Sequence, residues 1–342
     1  MDCTIPSHNV KVFSGWVVTL GKIGSSDLYL EFDPLQGLTL RTLNDAKSAY
    51  AKVTLDPAFF EVCTEPPSSH DGNKYMCRLS IRTLYSVLKT SRKGLQSLRI
   101  RSYTTPNNSN QLSLEFRLMG NYSIYHRLAV QSCDHSIPAA VVEKKGCSEI
   151  LIAPKLLQSM VEPLKRSHQV ALHISHQVIS ATSFHTHISS SSSNATPGSN
   201  FHFKSETTLS CEELQDFYYK DDRTALDNYT ENDANNHDNN DNDMPPNVNE
   251  DVTLVFGLKE LQSMLQFCNK GGGQDNSSTI ILYFYWGGKP LIVETEGDAY
   301  TAELILATLD YKLLMRVNQN NHTNQITTPS NNNNHISRQD MP

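Results

Sequence analysis

Arg78, Arg82, Lys89 and Lys93 recur at spacings of four, seven and four residues, with no carboxylate anywhere between Arg78 and Lys93. If Leu79 to Lys93 is one helix with Leu84, Val87 and Leu88 on its apolar side, those four cations share a stripe and Arg92 falls off it. Unopposed lysines and arginines on one face suit phosphate contacts, which act through charge and carry no base specificity. The bias recurs in three other helical stretches. Asn9 to Ile23 carries Lys11 and Lys22 and no acid; Pro154 to Arg166 sets Lys155, Lys165 and Arg166 against Glu162; Gly257 to Lys270 sets Lys259 and Lys270 against Glu260. The four stretches hold twelve cations and two acids, whereas the whole chain has 29 and 36, a net −7. Positive charge is therefore concentrated on one element type within an acidic protein, and a phosphate-facing role is expected of it.

Other chemistries find less support. His185 and His187 stand two apart on one strand face, with His173, His176 and His202 near in sequence, but no cysteine or carboxylate arrangement completes a metal site. The triple glycine Gly271 to Gly273 follows a helix and reads as its stop. There is no GxxxxGK[ST] nucleotide loop and no GxSxG elbow. Neither catalysis nor a cofactor nor a metal is expected.

The chain has 342 residues, enough for about two domains with a sizeable core. Seven cysteines (Cys3, Cys63, Cys77, Cys133, Cys147, Cys211, Cys268) lie scattered with no CxxC pair, and no secretory leader is expected. Small buried thiols, reduced in an intracellular protein, are the expectation. No stretch approaches the roughly 18 apolar residues of a membrane span, so a soluble chain without membrane contact is expected. A serine run ending at Asn194 and the segment Asp221 to Asp251, with ten acids against one Arg, lack the apolar surface to fold. The same holds for the Asn-rich tail from about Asn318.

Between these segments the hydrophobic period alternates in an ordered way. Val10, Phe13, Trp16, Val17 and Leu20 have helical spacing; Leu28, Leu30 and Phe32 alternate as a strand. A hairpin over Gly37 to Ala51 and the basic helix follow, then strands Gln96 to Tyr103, Gln111 to Arg117 and Ser123 to Gln131. The second half repeats the order. Pro154 to Arg166 aligns with the first helix at an offset of 144, pairing Trp16 with Met160, Val17 with Val161 and Leu20 with Leu164; Pro163 kinks or ends it. Leu258 to Phe267 aligns with the second helix at an offset of 177, pairing Leu84 with Leu261 and Leu88 with Leu265. The fold expected is α+β, one domain duplicated, with two helices packed on about eight antiparallel strands in each half. The boundaries read 1–133 for the first domain, 134–150 for a connector, 151–312 for the second domain with an acidic insert over 221–250, and 313–342 for a disordered tail.

Four stretches, SDLYLEFDPLQGL, GLTLRTLNDAKSAYA, DVTLVFGLKELQSMLQF and AELILATLD, carry a resemblance to the PCNA-like sliding DNA clamps. More specifically, the chain resembles the Rad-nine subunit of the heterotrimeric checkpoint clamp, over about residues 1 to 312. The resemblance implies a ring whose helices line a central channel around double-stranded DNA, with Lys11, Lys22, Arg78, Arg82, Lys89, Lys93, Lys155, Lys165 and Lys259 facing that DNA. It implies a front-face pocket for short partner motifs beside the connector, lined by Leu43, Lys47, Tyr50, Ile305 and Leu306. The ring would close by edge strands, about Tyr125 to Gln131 and Asn200 to Glu206, pairing with two related clamp subunits. Also implied are a clamp loader with a Rad-seventeen-like large subunit, repair and checkpoint proteins as partners, loading at damaged DNA, support of checkpoint kinase activation, and a nuclear location. Residues 313–342 lack the acidic serine cluster usual in the family, a departure that bears on tail-dependent signalling and on a tail-borne nuclear signal. The competing readings are a homotrimeric replication clamp and a 3'-5' exonuclease, an activity attributed to the family. A two-metal nuclease needs carboxylates converging on ions about 4 Å apart, whereas the acids here lie in the insert or singly on strands.

Overall fold

The structure is a computed structural model that describes residues 1–64, 75–89, 93–104, 110–133, 139–184, 205–219, 251–270 and 279–311. The predicted acidic insert over 221–250, the serine run, Arg92, His185, His187, His202, the glycines 271–273 and the tail lie outside those residues.

The first half runs β1 (Asp2–Pro6), α1 (Ser7–Ile23), β2 (Asp27–Asp33), β3 (Gly37–Leu43), β4 (Ala49–Leu55), β5 (Val62–Thr64), β6 (Tyr75–Ser80), α2 (Ile81–Leu88), β7 (Leu95–Thr104), β8 (Asn110–Leu118), β9 (Tyr122–Ala129) and β10 (Gln131–Ser132). The second half repeats that order as β11 (Ser148–Ile152), α3 (Pro154–Val161), β12 (Gln169–Ile174), β13 (Val178–Phe184), β14 (Glu206–Ser210), β15 (Asp216–Tyr218), β16 (Val252–Gly257), α4 (Leu258–Lys270), β17 (Ile280–Phe284), β18 (Leu291–Gly297), β19 (Tyr300–Leu306) and β20 (Leu309–Asp310). Among the described residues each half has ten strands, two more than the sequence suggested, because β5, β10, β15 and β20 are only two or three residues long and too short to show a period.

Local sequence explains the elements. Leu28, Leu30 and Phe32 alternate with half-exposed polar neighbours, so β2 turns one face to the core. Helix α1 buries Val10, Phe13, Trp16, Val17 and Leu20 on one side. Helix α2 starts at Ile81 because Ser80 caps it, its Oγ accepting from the Thr83 amide at 3.5 Å. In the second half, α3 ends at Val161 and passes into a 3-10 turn over Glu162–Leu164, with Pro163 within it, as the proline predicted.

Strand ladders make the repeat measurable. Cys3, Ile100, Leu114 and His126 face one another in sequence across β1, β7, β8 and β9; Ile150, Leu282, Val293 and Leu304 do the same across β11, β17, β18 and β19. The repeat offset is 147 at β1 (Cys3 to Ile150) and 142 at β2 (Phe32 to Ile174), bracketing the 144 read from the sequence, because α1 is longer than its counterpart. At the second helix it is 177, as read, from Ile81 to Leu258.

All strand pairs described are antiparallel, in three sheets. The first half contributes β5-β1-β7-β8-β9, the second half β14-β13-β12-β16-β20, and a ten-stranded sheet joins both halves where β4 pairs with β19. That joint is apolar toward the helices: Ala51, Val53 and Leu55 stand against Leu304, Ala302 and Tyr300. Strands β9 and β14 end their sheets and lack a second neighbour among the described strands. β14 covers only the last residue of the edge predicted over Asn200 to Glu206.

One expectation on the cysteines is corrected. Cys3 and Cys63 lie opposite each other on β1 and β5 and form a disulfide, a pairing of residues 60 apart that spacing alone does not reveal. Cys77 and Cys147 are buried thiols, as expected of small apolar groups.

Candidate functional site: a helix plate and a connector groove

Helix α1 packs against α2 on one side and α4 on the other, and α4 against α3, giving a row of four helices in the order α2, α1, α4, α3. At the centre of the row the Trp16 ring lies over Phe267 with centroids 3.8 Å apart and meets the Tyr300 edge at 5.5 Å. Gly15 permits that approach, since a Cβ there would stand 2.8 Å from a Phe267 ring carbon. The two halves are therefore fused in the helix layer as well as in the sheet.

The outer surface of this row is exposed at Lys11, Lys22, Arg82, Lys89, Lys155, Lys165 and Lys259. Lys11 and Lys22 are eleven residues apart, about three turns and about 16 Å along one stripe of α1. Lys259 and Lys270 repeat the interval on α4, with Gln262 and Gln266 between them. Lys22 Nζ donates to Gln266 Oε1 at 2.9 Å, bridging the two helices. Lys165 is held by Glu162 at 2.8 Å, beyond the end of α3.

Two predicted members of the stripe leave it. Arg78 is on β6, not on the helix: Cys77 and Leu79 point into the core, so Arg78 faces the opposite side of the sheet. There it donates from Nε to Gln131 Oε1 at 3.0 Å and pairs with Asp27 at 3.3 Å. Lys93 stands in the turn before β7, because α2 ends at Leu88 with Lys89 as its cap. Arg82 and Lys89, seven residues apart, remain on one face with Tyr85 between them.

The side of the ten-stranded sheet away from the helices carries a second feature. Tyr50, Ile292 and Ile305 form a small apolar cluster separate from the main core, with Leu43, Tyr283 and the connector residues Ala140 and Val142 packed against it. Three of the five predicted pocket residues, Leu43, Tyr50 and Ile305, thus come together. Leu306 does not: its neighbour on the strand already faces the groove, so it points into the main core, where it is 2% exposed. Lys47 stands exposed at the hairpin bend with φ +54°. The polar residues of that bend build it. Asn44 Oδ1 accepts from the amides of Ser48 at 2.8 Å and Ala49 at 3.0 Å, while its Nδ2 reaches Glu260 on α4 at 3.3 Å.

The connector is pinned beside this cluster. Lys144 Nζ meets Glu294 at 2.9 Å and Glu303 at 3.4 Å and lies 5.0 Å from the Tyr283 ring centroid. Burial alone would depress Lys144, but the two carboxylates outweigh it and its pKa is raised. Burial and the nearby Glu294 push the Tyr283 hydroxyl up to about 12. Tyr285 Oη lies 2.8 Å from the Glu143 carbonyl and 3.0 Å from that of Lys145, placed to donate to either. Sequence reasoning missed Tyr283, Ile292, Ala140, Val142 and Lys144, since only the β18–β19 register and the connector path bring them together.

His173 and His176 are not neighbours in chemistry: His173 bonds Thr253 Oγ1 at 2.9 Å, whereas His176 packs on the Tyr219 ring at 4.4 Å. Among the described residues no group of three His, Cys, Asp or Glu has metal-ligand geometry.

Two like halves, a helix layer on one side and antiparallel sheets on the other, define a PCNA-like sliding-clamp fold. A PCNA2–PCNA3 complex from Sulfolobus tokodaii aligns with 90% of this chain and 99% of its own at a TM-score of 0.60 and 13% identity. PCNA from Thermococcus kodakaraensis gives 0.60, 12%, 90% and 99%, and PCNA from Entamoeba histolytica 0.59, 12%, 90% and 98%. The Rad9 family profile matches residues 13–309, and the chain belongs to the Rad9 family.

Proposed function

We infer that this chain is a non-catalytic subunit of a heteromeric ring that encircles DNA, loaded at damaged sites in the nucleus and serving checkpoint signalling and repair. One observation carries the heteromeric part. If the β4–β19 joint were copied between identical chains, β14 would meet β9 with Leu209, Thr207 and Ser205 in place of Leu55, Val53 and Ala51, against Tyr122, Ile124 and His126. An apolar row would become one holding Thr207, Ser205 and His126. Thr207 is moreover committed inward, its Oγ1 donating to the Met160 carbonyl at 2.7 Å. Self-pairing of these edges is disfavoured, and two different partner chains, one for each edge, suit them better. That a PCNA2–PCNA3 complex shares this fold supports such a division of labour.

In that ring the helix plate with Lys11, Lys22, Arg82, Lys89, Lys155 and Lys259 faces the DNA phosphates, and Lys165, already paired, contributes less. Short apolar partner motifs dock beside the connector at half-exposed Leu43 and exposed Lys47, on the rim of the Tyr50, Ile292 and Ile305 cluster that Ala140 and Val142 cover; the structure of A. fulgidus PCNA with the C-terminal region of FEN-1 supports a peptide-binding role. The division at 1–133, 134–150 and 151–312 follows the same plan. Rings assembled with two related clamp subunits and loaded on nicked circular DNA test this directly. They stay bound until the circle is linearised and then slide off; retention on linear DNA equal to that on circles contradicts encirclement.

A further inference from the structure

The repeat allows the connector groove to be compared with the same place in the first half. By the ladders, Arg101 corresponds to Tyr283, Ser113 to Ile292, Glu115 to Glu294, Tyr125 to Glu303 and Arg127 to Ile305. The second-half face is apolar and acidic, and an extended segment of the chain covers it with Ala140, Val142 and Lys144, alternate residues aimed at the sheet. The first-half face has the inverse polarity. Guanidinium groups replace Tyr283 and Ile305, and a neutral phenol replaces Glu303.

Its charges are only partly spent. Arg99 is bound through two nitrogens to Asp2, at 2.7 and 2.5 Å. Glu115 is almost fully buried, with its side chain 7% exposed, beneath Arg101 at 3.0 Å and Arg117 at 3.1 Å, and it also accepts from Tyr125 Oη at 3.2 Å. Glu115 is thus shared by two arginines that remain 42% and 43% exposed, and Arg101 Nε also lies 4.0 Å from Asp2. Arg127 is exposed one register position away, opposite Ser113. Among the described residues the face carries four arginines against Asp2 and Glu115, with further guanidinium donors pointing outward.

We propose that the outer face of β7, β8 and β9 binds an extended acidic segment of a partner protein, with phosphoserines or carboxylates at alternate positions reaching Arg101, Arg117 and Arg127. Alternation is required because side chains of an extended segment point to one side every second residue, as Ala140, Val142 and Lys144 do on the sister face. The buried Glu115 holds Arg101 and Arg117 in place, so less side-chain freedom is lost when the segment binds.

The test uses the full chain and a fluorescein-labelled twelve-residue peptide with phosphoserine at alternate positions, followed by anisotropy. The double variant S113E/R127Q keeps the Glu115 network and therefore the fold, checked by its thermal melt; R127Q alone is a milder second variant. The phosphopeptide is expected to bind, with S113E/R127Q weakening it about tenfold and R127Q less. The unphosphorylated peptide is expected to fail. Absence of phosphopeptide binding, equal binding by wild type and both variants, or equal binding of the unphosphorylated peptide overturns the proposal. So does displacement of the phosphopeptide by an equal concentration of a twelve-nucleotide single strand, which would assign the face to nucleic acid.

Discussion

The joint inside the chain and the edges at its ends are built from the same strands in the same order, yet they are chemically different. At the joint, Ala51, Val53 and Leu55 meet Leu304, Ala302 and Tyr300, and Trp16 crosses the boundary to stack on Phe267. At the edges, the counterparts of Val53 and Ala51 are Thr207 and Ser205, and α3 has no aromatic residue to play the part of Trp16. The joint is a permanent core interface; on the function proposed above, the edges take partners that are not copies of the chain. A duplicated fold can thus keep one interface for stability and release its two equivalents for specificity.

The largest expected effect breaks the joint. Trp16→Ala removes a side chain that is 2% exposed at the centre of the helix layer and should cost about 3 to 5 kcal/mol, read from chemical denaturation. A loss below about 1 kcal/mol would mean the halves do not depend on this stacking. By contrast Tyr122→Asp with Ile124→Asp, on the exposed edge β9, should leave stability within about 0.5 kcal/mol while abolishing assembly with partner subunits. Stability loss as large as that of Trp16→Ala would show that β9 belongs to the chain's own core.

Next comes the helix plate. Substituting Arg82 and Lys89 by Ser in the assembled ring should lower the slope of log affinity against log salt by about 1.8, roughly 0.9 for each phosphate no longer neutralised. Substituting Arg78, which faces the other side of the sheet, should leave the slope unchanged. An equal effect from Arg78 would place DNA on the wrong face. In the groove, Leu43→Ala, at a half-exposed residue beside the connector, should weaken a bound apolar motif by about tenfold and leave the salt slope alone, measured by calorimetry with the motif peptide.

The smallest effect is a pH dependence. Burial alone would raise the Glu115 pKa, but hydrogen bonds from Arg117, Arg101 and Tyr125 outweigh it and lower it. A lowered folded-state value stabilises the protein above the ordinary Glu range near 4.3, and that stability fades as pH falls through the folded-state value. Melting temperature should therefore drop more steeply below pH 4 in wild type than in Glu115→Gln. Parallel curves would remove Glu115 from the acid-sensitive groups.

Much of this is legible in the sequence because the elements are amphipathic and occur twice. The α1 stripe, the alternation at Leu28, Leu30 and Phe32, and the 177-residue offset of α2 and α4 each rest on a local period that the structure keeps. The departures have local physical causes. Arg78 reads with the helix because β6 runs into α2 without a break, and an apolar run across such a joint fits either period. Ile305 and Leu306 cannot share one pocket, because adjacent residues of a strand must face opposite sides. The groove residues Ile292 and Tyr283, like the pairing of Cys3 with Cys63, depend on register between distant strands, which a single sequence does not display.

The unlike chemistry of the joint and the free edges is tested most directly by mass. Sedimentation of the purified full chain alone should show a monomer across the micromolar range, and mixing with two related clamp subunits should produce a single species containing one copy of each. A closed homotrimer formed by the chain alone would contradict the account, because Thr207 and Ser205 would then pair with β9 as well as Val53 and Ala51 pair with β19.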